Sequence, residues 1–106
     1  MFRIAVVEDQ EETRDRMQQF IRQYAAEQGI EAEVTAFCDG AQLVQEYRGG
    51  YDIIFLDVEM PELDGFSTAE RIRAVDQETV LVFVTNMAQY AIRGYAVDAM
   101  DYVLKP

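Results

Sequence analysis

The stretch Tyr51-Asp52-Ile53-Ile54-Phe55-Leu56-Asp57-Val58-Glu59-Met60-Pro61-Glu62-Leu63-Asp64-Gly65 decides the fold. Its apolar run Ile53-Ile54-Phe55-Leu56 lacks polar alternation, the pattern of a strand buried on both faces in a parallel sheet covered by helices. The run ends on a carboxylate. In open α/β sheets ligands bind just outside the carboxyl ends of the strands, so Asp57 stands where a site would be.

Working outward, the segments on either side repeat one unit. Arg3-Ile4-Ala5-Val6-Val7 is a short apolar strand ending at Glu8-Asp9, and Met17, Phe20, Ile21 and Tyr24 then recur at helical spacing until Gly29. Glu33-Val34-Thr35-Ala36-Phe37 reads as a second strand. Asp39 is placed to cap a short helix with Ala41, Leu43, Val44 and Tyr47, stopped by Gly49-Gly50. Beyond Asp57, Pro61 and Asp64-Gly65 mark a loop before a helix with Phe66, Ala69, Ile72 and Val75. Val80-Leu81-Val82-Phe83-Val84 is a fourth strand ending at Thr85. Ala88, Ala91, Ile92 and Tyr95 give a further helix, and Tyr102-Val103-Leu104 a fifth strand ending at Lys105-Pro106. Strands alternating with helices predict an α/β domain with a parallel sheet and right-handed crossovers. A last helix would complete the alternation and is absent from the sequence, so the expectation is one domain over residues 1–106, C-terminally truncated, prone to homodimer formation or domain swapping through uncovered surface.

Composition narrows the partners. At 106 residues with 50% hydrophobic content there is room for one domain and one core. A net charge of -11 argues against direct nucleic-acid binding or an anionic membrane, both of which need a basic face. No stretch reads as a signal or membrane segment, and Cys38 is the only cysteine, so a cytoplasmic location is expected; Cys38 itself is expected to be a small buried apolar residue. Histidine is absent, which removes imidazole chemistry from this chain. Of nine basic residues only Lys105 is a lysine, and it stands at the end of an apolar strand.

Strand ends of one sense gather Glu8 and Asp9, Asp57, Thr85 and Lys105. Three carboxylates in one crevice repel strongly unless a cation joins them, and oxygen donors without histidine or a second cysteine favour Mg²⁺. A lysine and a hydroxyl beside that ion suit a phosphoryl group, which makes Asp57 a candidate nucleophile forming an aspartyl phosphate. Taken singly, Asp57 reads equally as a turn residue, and Glu8-Asp9 as a helix N-terminus. The set of residues carries the reading.

Glu8-Asp9, Asp57 with Met60-Pro61 and Asp64-Gly65, Thr85 and Lys105-Pro106 resemble the signature of the receiver domain of two-component response regulators, in the right order and along the whole chain. The resemblance implies a flavodoxin-like (CheY-like) five-stranded parallel sheet of order 2-1-3-4-5 with helices on both faces. It implies that a sensor histidine kinase supplies a phosphoryl group to Asp57, in a Mg²⁺-dependent, self-catalysed step followed by slow autodephosphorylation, and that the domain is otherwise not an enzyme. Asp9 is then a direct metal ligand, Glu8 acts through water or by orienting it, and the backbone carbonyl of Glu59 completes the protein's share. Lys105, Thr85 and Tyr102 become the phosphoryl-pairing and switch residues, and Lys105-Pro106 is expected to be cis. The segments Thr85 to Tyr95 and Asp101 to Pro106 look most similar to receivers that precede a LytTR output domain, which implies transcription regulation through DNA binding outside this chain.

Departures from the common pattern are Glu8 where an aspartate is more frequent, and Glu59 and Met87 at the variable positions beside the pocket. Three other readings compete. A phosphorylation-independent pseudo-receiver would lack one of the five groups. A Mg²⁺-dependent aspartyl phosphohydrolase would carry Asp at position 59. A flavodoxin-like electron carrier would not place acids after its first strand.

Overall fold

The computed structural model describes residues 1–57, 64–85 and 101–104, the last four and Thr85 by their backbone. Strands β1 (Phe2–Val7), β2 (Ala32–Phe37), β3 (Ile53–Asp57), β4 (Val80–Thr85) and β5 (Asp101–Leu104) form one sheet in the order β2-β1-β3-β4-β5. All the pairings are parallel. Helices α1 (Glu11–Glu27), α2 (Gly40–Glu46) and α3 (Gly65–Val75) connect them. The helix expected around Ala88 to Tyr95 and the Lys105-Pro106 peptide lie outside the described residues.

Register fixes the two faces of the sheet. Val7, Leu56 and Phe83 stand side by side, as do Ala5, Ile54 and Leu81. Because side chains alternate along a strand, these residues share one face. They are fully buried with Leu43 of α2 and with Phe66, Ala69 and Ile72 of α3. Residues of the other parity, Ile4 and Val6, are buried on the opposite face, which α1 covers through its packing on β1 and β2. The flavodoxin-like parallel architecture with helices on both faces is thus the observed one.

Local chemistry sets the helix ends. Asp39 accepts from the Ala41 amide at 2.8 Å and caps α2, while Asp64 accepts from the Ser67 amide at 2.8 Å and caps α3. At the end of α1, Gly29 takes φ 68°, and the Ile30 and Gly29 amides return to the carbonyls of Ala25 and Ala26. That pair of bonds is a Schellman closure, which an L side chain at Gly29 would strain. The starts of the strands are tied by Asp52, whose carboxylate accepts from the Arg3 amide at 2.8 Å and whose carbonyl accepts from the Val80 amide at 3.0 Å. Between α2 and α3, the Tyr47 hydroxyl donates to Asp76, which holds the Asp76 carboxyl below its usual range.

Three expectations from the sequence are corrected. Phe20 and Tyr24 are 73% and 56% exposed, because α1 turns Arg14, Met17, Gln18, Ile21 and Ala25 toward the sheet and leaves those aromatics on its flank. Val75 is 74% exposed, since α3 buries Phe66, Ala69 and Ile72 and ends at Val75. Cys38 is exposed: it follows the last residue of an edge strand, and its thiol donates to the Gln42 side chain at 3.4 Å.

Thr79, just before β4, is 3% exposed and its hydroxyl has no partner among the described residues. A buried hydroxyl without a partner costs about 1–3 kcal/mol relative to one in water. Thr79→Val keeps the shape and removes that cost. The variant is expected to raise the urea midpoint, by roughly 1 kcal/mol of stability, at unchanged m-value. A lowered midpoint would show that the hydroxyl is satisfied.

Candidate metal and phosphoryl-acceptor site

The site is built from the ends of two neighbouring strands. β1 lies beside β3 with Val7 opposite Leu56, so the residues that follow, Glu8 and Asp57, leave the sheet side by side at its carboxyl edge. A carboxylate oxygen from each of Glu8, Asp9 and Asp57 lies within 4.8 Å of the other two. Glu8 is 0% and Asp57 4% exposed, while Asp9 is half-buried.

Of the three acids, Glu8 bonds a helix-end amide, its carboxylate accepting from the Gln10 amide at 3.4 Å. The N-cap of α1 is Gln10, with Glu11 and Glu12 in the first turn facing the helix dipole. The N-cap of α3 is Asp64. Asp9 and Asp57 therefore cap neither helix. Instead, burial together with the hydrogen bond and charge of neighbouring Glu8 pushes the Asp9 carboxyl above its ordinary range, with a hydrogen bond from its own backbone amide and the Asp57 contact opposing.

These residues fit a small hard cation. In an octahedral Mg²⁺ shell with Mg–O near 2.1 Å, ligand oxygens are about 3 Å apart when adjacent and about 4.2 Å when opposite. Oxygens within 4.8 Å of one another match that shell after a small inward movement, or with one carboxylate reached through water. The donors are all oxygen, and two of the three carboxylates are withdrawn from bulk water, so a divalent ion would relieve a repulsion that solvent does little to screen.

Metal binding is expected to show a pH dependence whose sign follows from Asp9. Its folded pKa is raised, so without metal its contribution to stability is full below the unfolded pKa and is lost as pH rises through the folded one. Mg²⁺ binds the ionised form and restores what ionisation removes. The melting temperature should rise on adding Mg²⁺ at neutral pH, by the equivalent of about 1.4 kcal/mol at ten times Kd. That rise should shrink as pH is lowered into the carboxylate range. A Mg²⁺ increment independent of pH would count against the carboxylate site.

Thr85 ends β4, one residue past Val84, the register partner of Asp57, and pairs with Leu104 of β5. Tyr102 lies in β5 opposite Phe83. Glu59 and Lys105 lie outside the described residues. One contact at the site went unread in the sequence. Arg14, in the first turn of α1, donates from Nη1 to the Glu8 backbone carbonyl at 3.0 Å. The available signal was a charged residue on the inward stripe of α1, ahead of Met17, Ile21 and Ala25.

With this geometry in hand, the chain matches the response regulator receiver domain family over residues 4–106. It belongs to that family. The sensory transduction protein LytT of Bacillus anthracis is 32% identical over 108 residues, covering 100% of this chain and 42% of LytT. The chain thus spans less than half the length of this curated relative. The structure of TrrA from Thermotoga maritima in complex with Mg²⁺-BeF superposes with a TM-score of 0.85 at 26% identity, covering 100% of this chain and 88% of that one. The response regulatory domain of mrkE from Klebsiella pneumoniae gives a TM-score of 0.86 at 27% identity, covering 99% of this chain and 84% of that one. This receiver domain of a two-component system is therefore a signalling module similar to the LytT-type regulators. No helix among its described residues is long and apolar enough to cross a membrane.

Proposed function

We propose that this receiver accepts a phosphoryl group on Asp57 from a sensor histidine kinase and uses it to switch an output domain. The observation that carries the reading is the meeting of Glu8, Asp9 and Asp57 at the sheet's carboxyl edge, with Glu8 and Asp57 buried. A carboxylate oxygen of Asp57 attacks phosphorus, the bond from phosphorus to the donor's imidazole nitrogen breaks, and the leaving imidazole keeps the electron pair and takes up a proton from solvent. Asp9 and Asp57 would hold Mg²⁺, with Glu8 acting through water or by orienting it and the Glu59 carbonyl completing the set, and the bound ion would stabilise charge on the phosphoryl oxygens. Lys105 pairs with Asp57 and then with the phosphoryl group. Transfer is self-catalysed and water removes the group slowly, so turnover on small phosphate esters is not part of the role.

Phosphorylation adds about 1.5–2 negative charges at Asp57. Thr85 then moves toward the phosphoryl oxygens, Tyr102 turns inward, and the surface from Ala88 to Tyr102 changes its preferred conformation. The output module is proposed to be a DNA-binding domain of the LytTR type in the full-length cytoplasmic protein, on the strength of the LytT likeness. Homodimer formation or domain swapping through uncovered sheet and helix surface belongs to the same proposal, and a stable monomer in sedimentation velocity at high concentration would count against it.

The test is to add Mg²⁺ with acetyl phosphate, or with beryllium fluoride as a phosphoryl mimic, and follow intact mass and backbone NMR shifts. The expected result is one phosphoryl group per chain, with shift changes spreading from Asp57 to β4 and β5. A folded protein whose mass and spectrum stay unchanged would sink the proposal.

A further inference from the structure

We propose that Arg14 is a positioning residue of the metal site: by holding the Glu8 carbonyl it sets the direction of the Asp9 carboxylate and so the affinity for Mg²⁺. The inference rests on the reading that Glu8, Asp9 and Asp57 bind that ion.

The backbone argument is local. Glu8 lies one residue past Val7, where the pairing of β1 with Phe37 and Leu56 ends. Its amide is still held by β2, donating to the Phe37 carbonyl at 3.1 Å. The next peptide plane, which contains the Glu8 carbonyl and the Asp9 amide, receives the Arg14 guanidinium at 3.0 Å. Asp9 Cα leaves from that plane, so tilting the plane swings the carboxylate. A tilt of about 30° moves a carboxylate oxygen by roughly 1–2 Å, several times the ~0.2 Å tolerance of metal–ligand distances.

Arg14 is well placed to resist such a tilt. Its own amide donates to the Gln10 carbonyl at 2.8 Å, closing the first turn of α1, and a helical side chain leans back toward the N-terminus of its helix. The guanidinium therefore couples the start of α1 to the end of β1 across the turn that carries Asp9. The rigid guanidinium plane fixes the direction of this single bond, whereas a lysine ammonium rotates on a flexible stem and would hold the same carbonyl less firmly.

Charge and geometry predict opposite signs here, which makes the assignment testable. A guanidinium near a cation site opposes the cation, so if Arg14 acted only through charge its removal would tighten Mg²⁺ binding. If it positions the turn, removal weakens binding in spite of the relieved repulsion. A helix tether with no role at the site would change the melting temperature and leave the Mg²⁺ affinity of the folded protein as it was.

The experiment compares wild type, Arg14→Met and Arg14→Lys by calorimetric Mg²⁺ titration and by the Asp9 amide shift, at a temperature where circular dichroism shows each chain folded. Arg14→Met, which keeps the stem and loses donor and charge, is expected to raise Kd roughly tenfold, the scale of lost support behind a metal ligand. Arg14→Lys should recover part of that loss. A folded Arg14→Met that binds Mg²⁺ as tightly as wild type, or more tightly, overturns the proposal. Should Arg14→Met fail to fold, the lysine variant decides: severalfold weaker binding supports positioning, and an unchanged Kd overturns it. A wild-type protein that shows no Mg²⁺ binding fails the metal reading itself and takes this inference with it.

Discussion

Asp57→Asn is expected to abolish phosphoryl uptake while leaving the protein folded. Asparagine has nearly the volume of aspartate and fills the same place at the end of β3, next to the fully buried Leu56. What it lacks is the anion that attacks phosphorus, because an amide oxygen is a far weaker nucleophile. It also removes one of three negative charges whose oxygens lie within 4.8 Å of one another. Without metal, relief of that repulsion should keep the variant at least as stable as wild type at neutral pH. The added Mg²⁺ increment in melting temperature should shrink, since one ionised ligand is gone. Loss of transfer combined with retained stability separates a chemical role from a structural one. Intact mass after incubation with acetyl phosphate and Mg²⁺ should show the added phosphoryl group in wild type alone, and chelating the metal should remove it from wild type too. Undiminished uptake by Asp57→Asn would move the acceptor to another carboxylate, with Asp9 the first to test.

The parts of this site that could be read from the chain are those fixed by topology. A fully apolar strand such as Ile53 to Leu56 needs cover on both faces, and parallel strands send their carboxyl ends to one edge. From these two facts Glu8, Asp9 and Asp57 had to approach one another once β1 and β3 were neighbours, and they do. What could not be read depends on rotations smaller than the sequence period. The apolar positions of α1 are satisfied by a helix turned toward Phe20 and Tyr24 or by one turned toward Ile21 and Ala25, and periodicity does not choose between them. Packing on β1 and β2 selects the side with small Ala25, buried at 7% exposure. That rotation also brings Arg14 inward to Glu8, so the exposed aromatics and the unforeseen arginine contact have one cause. Cys38 escaped for another reason. A residue type that favours burial stands here just past the end of an edge strand, where only one side has a neighbour.

Phe83→Ala is expected to cost about 3–5 kcal/mol, the range for emptying a buried phenylalanine site. The residue is fully buried in β4, with Leu56 on one side in register and Tyr102 on the other. Its ring centroid lies 4.7 Å from that of Phe66 at an interplanar angle of 54°, a tilted contact that joins the sheet to the first turn of α3. Alanine loses the transfer energy of the ring, leaves a cavity between β4 and α3, and breaks an aromatic pair that itself contributes about 0.5–1.5 kcal/mol. Domains of this size are stable by only about 5–15 kcal/mol, so at the low end a large fraction of the variant would be unfolded at 37 °C. Phe83→Leu keeps most of the volume and should lose nearer 1.5 kcal/mol. Urea titration reads both, and a shifted midpoint at constant m-value identifies the loss as packing rather than a changed unfolded state. Because Phe83 stands one row below the pairing of Asp57 with Val84, the leucine variant should retain Mg²⁺ binding while it melts earlier. A loss below about 1 kcal/mol for Phe83→Ala, ordinary for a surface change, would contradict the core in which these two rings lock the helix to the strand beneath the acidic site.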